Sequence, residues 1–186
     1  MTAYAGFMQR LATLPAPRVI ELGTLGWNGR PPVHHRQAVV TTNPAATWLG
    51  TDIEPGPGVD VVCDAHHLAA RFAEEPFDAF MACSTFEHFR RPWIVAAELA
   101  KIVKPGGIGF VQTHQAFPLH GYPSDYFRFS LQAMAELFSS DIGWQITLGE
   151  YRFPAKILPL TNLGPGGWNF EAESWLNVEV VVERLQ

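Results

Sequence analysis

The run Phe77-Asp78-Ala79-Phe80-Met81-Ala82-Cys83 constrains this chain more than any other segment. It carries one charge and shows no polar–apolar alternation, so a strand built from it must be covered on both faces. Covering both faces calls for helices on each side of a sheet, and the neighbouring sequence supplies them. Residues 18–22, 47–53, 59–63 and 108–113 are further apolar or β-branched runs. Between them, residues 4–14, 66–72 and 93–103 place apolar side chains at helical spacing, as with Ile94, Ala97 and Ile102. Strands alternating with helices in this way mark βαβ units around a largely parallel sheet, an α/β fold.

Punctuation supports this reading. Pro15 and Pro17 end the first helix, and Lys104-Pro105-Gly106-Gly107 stops the helix before the strand at 108–113. Glu54-Pro55-Gly56-Pro57-Gly58 is a turn. Residues 28–44 hold Pro31, Pro32 and Pro44 with little helical period, which predicts a loop with at most a short helix. Ser130 is a candidate N-cap for a helix over 131–138, and 144–151 and 175–183 read as the last strands. There is no internal repeat, and 186 residues suit a single domain spanning 1–186. Within it, 1–17 is an N-terminal helix and linker, and 114–129 and 153–172 are candidate loops for a substrate site.

Composition excludes several functions. Hydrophobic residues make up 47%, which offsets chain entropy and rules out a disordered chain. A net charge of −5 leaves no basic surplus for phosphates, so no nucleic-acid partner is expected. No apolar run approaches the ~18 residues needed to cross a bilayer, and residues 1–14 lack the order of a signal peptide. Cys63 and Cys83 form no redox or metal pair by spacing and read as small buried hydrophobes in a reduced compartment. The expectation is a soluble cytoplasmic protein without a membrane partner.

Three acidic features fall at the carboxyl ends of successive strands, where open α/β sheets bind ligands. They are Glu21 with Gly23 and Thr24 in the first turn, Asp52 with Ile53 after the second strand, and Asp64 with Ala65 after the third. An acid in the place of Asp52 can accept both ribose hydroxyl hydrogens, and Asp64 is placed to take a hydrogen bond from an adenine amino group. Each alone is as well explained as a cap or turn residue; their order together points to an adenosine site.

From about Arg18 to Leu137 the chain resembles class I S-adenosylmethionine-dependent methyltransferases of the small kind called methyltransferase type 11. The segments that carry the resemblance are Phe77-Asp78 through Ser84-Thr85-Phe86-Glu87-His88 to Leu99 and Lys104-Pro105-Gly106-Gly107, and Gly50-Thr51-Asp52-Ile53 through Asp64-Ala65-His66. The resemblance implies a Rossmann-like, doubly wound, mostly parallel seven-stranded sheet with an antiparallel last strand and helices on both faces. It implies S-adenosyl-L-methionine as cofactor, with Glu21, Gly23, Thr24, Leu25, Asp52, Ile53, Asp64, Ala65, Cys83 and Ser84 around it. The family's first motif is an acid followed by three glycines at alternate positions. Here Leu25 and Trp27 replace two of them, and the helix that normally follows is short or missing. His34, His35 or Arg36 is left to approach the methionine carboxylate, unless all three are solvated loop residues. The same departures disfavour a dinucleotide, whose pyrophosphate needs close backbone approach at a helix start.

The expected activity is methyl transfer to oxygen or nitrogen of a small metabolite or sugar-type acceptor. The alternatives are an inactive methyltransferase-like binding or scaffold module and an NAD(P)-linked oxidoreductase. A hydroxyl acceptor benefits from a base, and in many class I methyltransferases the region after strand five faces the acceptor. The resemblance therefore offers His114 or His120 as that base; the competing reading is that each pins the loop through a backbone carbonyl. Asp125 and Arg128, three residues apart, read as a structural pair. Asp64 with His66, Glu87 with His88, His114 and His120 are available metal donors. No His-x-x-x-His or paired-cysteine spacing and no carboxylate triad supports a metal, and none is expected. With so little sequence to build a pocket, the acceptor is small, or a partner or second subunit of a homodimer presents it.

Overall fold

The structure is a computed structural model and describes residues 1–25, 33–121, 124–158 and 173–186. Its elements, in chain order, are α1 (Ala3–Thr13), β1 (Arg18–Leu22), α2 (Val33–Thr42), β2 (Thr47–Asp52), β3 (Val61–Val62), α3 (Leu68–Phe72), β4 (Phe77–Cys83), α4 (Pro92–Ile102), β5 (Val103–His114), α5 (Leu131–Leu137), β6 (Trp144–Ala155) and β7 (Ser174–Arg184). The seven strands form one sheet in the order β3-β2-β1-β4-β5-β7-β6. The first five are parallel, β7 runs antiparallel to β5, and β6 runs antiparallel to β7. This is the doubly wound, Rossmann-like arrangement expected from the sequence.

The apolar run Phe77–Cys83 becomes the central strand β4, paired with β1 on one side and β5 on the other. Both of its faces are covered. Phe80 joins Phe86, Leu99, Phe138 and Trp144 on the face of α3, α4 and α5, while Met81 joins Phe7, Leu11, Val39 and Phe110 on the face of α1 and α2. Each such side chain, removed from water, contributes about 1.5–3 kcal/mol. The Phe80 ring lies across Gly109 of β5, where a Cβ would stand 1.9 Å from the ring. Trp144, fully buried, donates its indole N–H to the Ala96 carbonyl at 3.0 Å, so its polar atom is satisfied.

Local signals hold at several ends. The Ser130 hydroxyl accepts the Ala133 N–H as an N-cap, Thr2 caps α1 through the Ala5 N–H, and Pro92 opens α4. Two expectations are corrected. The segment 28–44 is not chiefly a loop, because Val33–Thr42 forms a ten-residue helix. Its apolar residues recur so weakly that periodicity cannot reveal it, yet Val39 is buried against α1 and the sheet. The segment 153–172 is not all loop either, since β6 continues through Ala155. Residues 159–172, Trp27 and the side chain of His34 lie outside the described residues. No helix among the described residues is long and apolar enough to cross a membrane.

Candidate active site

The chain order of strands reverses between β1 and β4, so the turns after them diverge and leave a crevice at their carboxyl ends. A cleft of about 1150 Å³ opens there. Of the residues expected around the cofactor, Gly23, Leu25, Asp52, Ile53, Asp64, Ala65, Cys83 and Ser84 line it, and at its other end so does His120.

Gly23 leaves β1 with φ +74°, and a Cβ there would sit 2.4 Å from the Thr85 hydroxyl oxygen. Only glycine satisfies both conditions, so the turn presents bare backbone. The Leu25 N–H donates to Asp52 Oδ2 at 2.9 Å, and Asp52 Oδ1 accepts the Glu54 N–H at 3.3 Å. Asp52 thus ties the turn after β1 to the tip of β2 while keeping acceptor capacity, because each carboxylate oxygen carries two lone pairs. Asp64 caps the 3₁₀ turn Ala65–His67: its Oδ1 accepts both the His66 backbone N–H at 2.9 Å and the His66 Nδ1–H at 2.7 Å. Burial opposes the charge, but these His66 contacts outweigh it and hold the carboxyl below its ordinary value. Ser84, at the tip of β4, has φ +50°, a conformation costly for a residue with a side chain and most often met at functional sites.

Three expected site residues lie elsewhere. Glu21 is buried inside β1 with His35 Nδ1 at 2.9 Å from its Oε1. Burial pushes its carboxyl up, and His35 only partly opposes that. Thr24 is buried and bonds the Thr51 carbonyl. His114, at the end of β5, is buried behind the cleft wall. Of the residues weighed for the methionine carboxylate, His35 lines the cleft from α2, and Arg36 points to solvent.

The other end of the cleft is built by residues 114–121 and 124–129, folded back over the 3₁₀ turn Phe86–His88. The Tyr126 N–H donates to the Glu87 carbonyl at 2.8 Å, and the Phe129 N–H donates to the His114 carbonyl at 2.8 Å. Arg128 grips Asp125 with two N–H groups, NH1 to Oδ1 and NH2 to Oδ2 at 2.7 Å, the structural pair expected. That bidentate contact, with the His120 N–H, holds the Asp125 carboxyl far below the ordinary range. In the sequence Glu87 stands out only as an available metal donor beside His88. Its side chain is fully buried, its Oε2 accepts the Thr113 hydroxyl at 2.7 Å, and its Oε1 faces His114 Nε2 at 3.0 Å. Burial penalises its charge, yet the nearby imidazole and the Thr113 hydroxyl hold the carboxyl below its usual value, so it is a carboxylate at neutral pH.

Comparison with known proteins agrees with this geometry. Residues 30–111 match the model of a methyltransferase domain family. An uncharacterized methyltransferase of Mycolicibacterium paratuberculosis is 30% identical over 81 residues, covering 38% of this chain. The match spans only 32% of that protein's length. Among solved structures, the Haloferax volcanii complex of the Trm112 methyltransferase activator with a methyltransferase superposes with TM-score 0.68 at 16% identity, covering 99% of this chain and 89% of that one. A SAM-dependent methyltransferase of Archaeoglobus fulgidus gives 0.64 at 13% identity, covering 97% and 90%. Over residues 30–111 the chain is similar to a methyltransferase domain, and its fold is the one the compared SAM-dependent methyltransferase has. S-adenosylmethionine is the cofactor such a domain takes, and the cleft's residues fit it: bare backbone at Gly23, and carboxylates at Asp52 and Asp64 that keep acceptor lone pairs.

Proposed function

We propose that this chain transfers the methyl group of S-adenosylmethionine to an oxygen or nitrogen of a small metabolite or sugar-type acceptor. The observation that carries the reading is the continuity of one cleft, from Asp52 and Asp64 at one end to His88 and His120 at the other. The bound cofactor supplies a methyl group already activated on a cationic sulfur. The protein therefore has to align the acceptor, exclude water and receive a proton.

Asp52 is the residue for the ribose hydroxyls, since its second lone pairs remain available beyond the Leu25 and Glu54 N–H groups. His120 is the better placed of the two candidate bases, because it lines the cleft while His114 stands behind it. A proton received at His120 Nε2 would face Glu87 Oε1, 3.8 Å away, and His114 flanks the same oxygen. The exposed Leu119 and the half-exposed Phe117 at the rim are surfaces that the acceptor or a second copy of the chain would cover.

Calorimetry with S-adenosylmethionine and release of S-adenosylhomocysteine on a panel of hydroxyl and amine acceptors test the reading together. The expected result is binding that Asp52→Ala abolishes, and turnover that His120→Ala lowers without weakening cofactor binding. A protein that binds the cofactor but turns over no acceptor would be the inactive scaffold instead. Stabilisation by NADH rather than by the sulfonium cofactor would favour the oxidoreductase.

A further inference from the structure

Three imidazole rings converge on one buried carboxylate oxygen of Glu87. Glu87 Oε1, buried with no hydrogen-bond partner, lies 3.0 Å from His114 Nε2, 3.8 Å from His120 Nε2 and 3.9 Å from His88 Nε2. The 3.0 Å approach lacks the alignment of a hydrogen bond. The other nitrogen of every ring is engaged by an acceptor. His88 Nδ1 faces the Ser124 carbonyl at 2.5 Å, His114 Nδ1 the Asn177 Oδ1 at 3.0 Å, and His120 Nδ1 the Pro118 carbonyl at 3.2 Å and Asp125 Oδ2 at 3.3 Å. Each Nδ1 is therefore set to donate, so each ring in its neutral form has an Nε2 lone pair turned toward the same buried carboxylate oxygen. Lone pairs gathered in this way repel one another unless protons or a metal ion stand between them.

We propose that Glu87, His114 and His120 bind a divalent first-row transition metal of the zinc class, with His88 at its edge. The ligand atoms of the three lie within 4.8 Å of one another. Ligands about 2.0–2.2 Å from one ion, as for zinc, stand roughly 3 Å or more apart. Two imidazoles and a carboxylate, with no thiolate, form a set for Zn²⁺ or Fe²⁺ rather than for Mg²⁺ or Ca²⁺. The outer partners have the form metal-bound histidines require: Asn177 and Asp125 orient the rings through Nδ1, and the Thr113 hydroxyl fixes the second carboxylate oxygen. Three protein ligands leave coordination positions open, and His120 and His88 put that opening on the cleft. Gly121 is part of the same construction. Its φ is +60°, and a Cβ there would stand 2.6 Å from His88 Cε1.

This inference concerns binding of the ion and does not depend on methyl transfer. If both hold, His120 is a ligand, and a hydroxyl acceptor bound at the open position loses its proton to solvent because the ion lowers its pKa. The test uses the full chain, stripped with a chelator and titrated with Zn²⁺ and Co²⁺ without cofactor. Calorimetry, metal content after dialysis and the Co²⁺ visible spectrum are read. The expected result is one ion per chain and a raised melting temperature. His120→Asn, a change at a half-buried position, should weaken binding roughly 100-fold while the apo chain stays folded by circular dichroism, and Asn177→Ala should weaken it about 10- to 100-fold. His67→Ala, an exposed histidine outside the cluster, should bind as the wild type does. Wild-type chain that retains no ion and shows no shift would overturn the proposal and leave protons holding the cluster. So would a His120→Asn variant that binds as tightly as wild type.

Discussion

The Leu25 N–H and the Asp52 carboxylate, 2.9 Å apart, join the turn after β1 to the tip of β2. One carboxylate thus shapes the mouth of the cleft and, in the proposed function, also takes the ribose. The two duties separate by substitution. Asp52→Asn keeps an acceptor for the Leu25 N–H but loses the charge, whereas Asp52→Ala loses both. A hydrogen bond to a charged group is worth about 1.5–3 kcal/mol. Asp52→Asn is therefore expected to weaken cofactor binding by about 10- to 100-fold with melting temperature nearly unchanged, and Asp52→Ala to weaken it further while lowering the melting temperature. Calorimetry and thermal denaturation on the two variants check this.

Gly121 and His88 make a second, independent handle. A side chain at position 121 would meet both a positive φ and the His88 ring. Gly121→Ala is expected to destabilise the chain by about 1–2 kcal/mol through the backbone alone. Because the Ser124 carbonyl holds His88 from the same loop, the ring must also shift. The expected signature is a large fall in turnover with cofactor affinity intact, since Asp52 and Gly23 lie at the other end of the cleft. A matched fall in both would mean that the loop supports the whole cleft.

The sheet was legible in the sequence because its strands are short apolar runs between strong turn signals. Phe77–Cys83 could only be central, and the acids at Asp52 and Asp64 fell at strand tips by simple counting. α2 was not legible, because among its described side chains only Val39 is deeply buried and its apolar residues trace no stripe. The position of Glu21 near a strand end points it to the cofactor. Strand pleating turns its side chain instead toward His35 on α2, a contact that requires a helix the sequence did not reveal. The Glu87 cluster was legible only as a list of donors. Glu87 and His88 come from one turn, His114 from β5 and His120 from a loop, so no linear spacing could announce them. What the sequence did hold was a surplus of histidines after strand tips, and a buried glutamate among them is the signal worth seeking.

The two cysteines give a prediction of chemical quietness. Burial pushes the Cys83 thiol well above its ordinary value, and the nearby Glu21, Glu179 and Glu87 carboxylates push it the same way. Burial and Asp64 raise Cys63 as well, against a smaller effect of Arg71. The thiolate is the reacting form, so both should alkylate more slowly than a free thiol at pH 8, with Cys83 the slower. Iodoacetamide labelling followed by peptide mass spectrometry measures this, and the difference between them should vanish in denaturant. Rapid modification of native Cys83 would mean that its surroundings are more open or more positive than the fold indicates.

Glu98 ties α4 to α3, and its protonation should be visible in acid stability. Its Oε2 accepts the Ala69 N–H at 2.8 Å, and its Oε1 accepts from Lys101 Nζ at 2.6 Å. Burial opposes the charge, but the Lys101 ammonium and the Ala69 N–H outweigh it and depress the folded-state pKa below the ordinary value of 4.5. A depressed folded pKa means that the unfolded chain takes up the proton first as pH falls. The stabilisation is therefore complete above the unfolded pKa and drains away between that value and the lower folded one. Glu98→Gln keeps an acceptor for Ala69 but has no charge to titrate. Urea denaturation from pH 6 down to pH 3 should show the variant less stable than wild type near neutrality, with the gap narrowing as the wild-type carboxylate is protonated. A gap that stays constant across that range would show that Glu98 acts through packing and the Ala69 hydrogen bond alone.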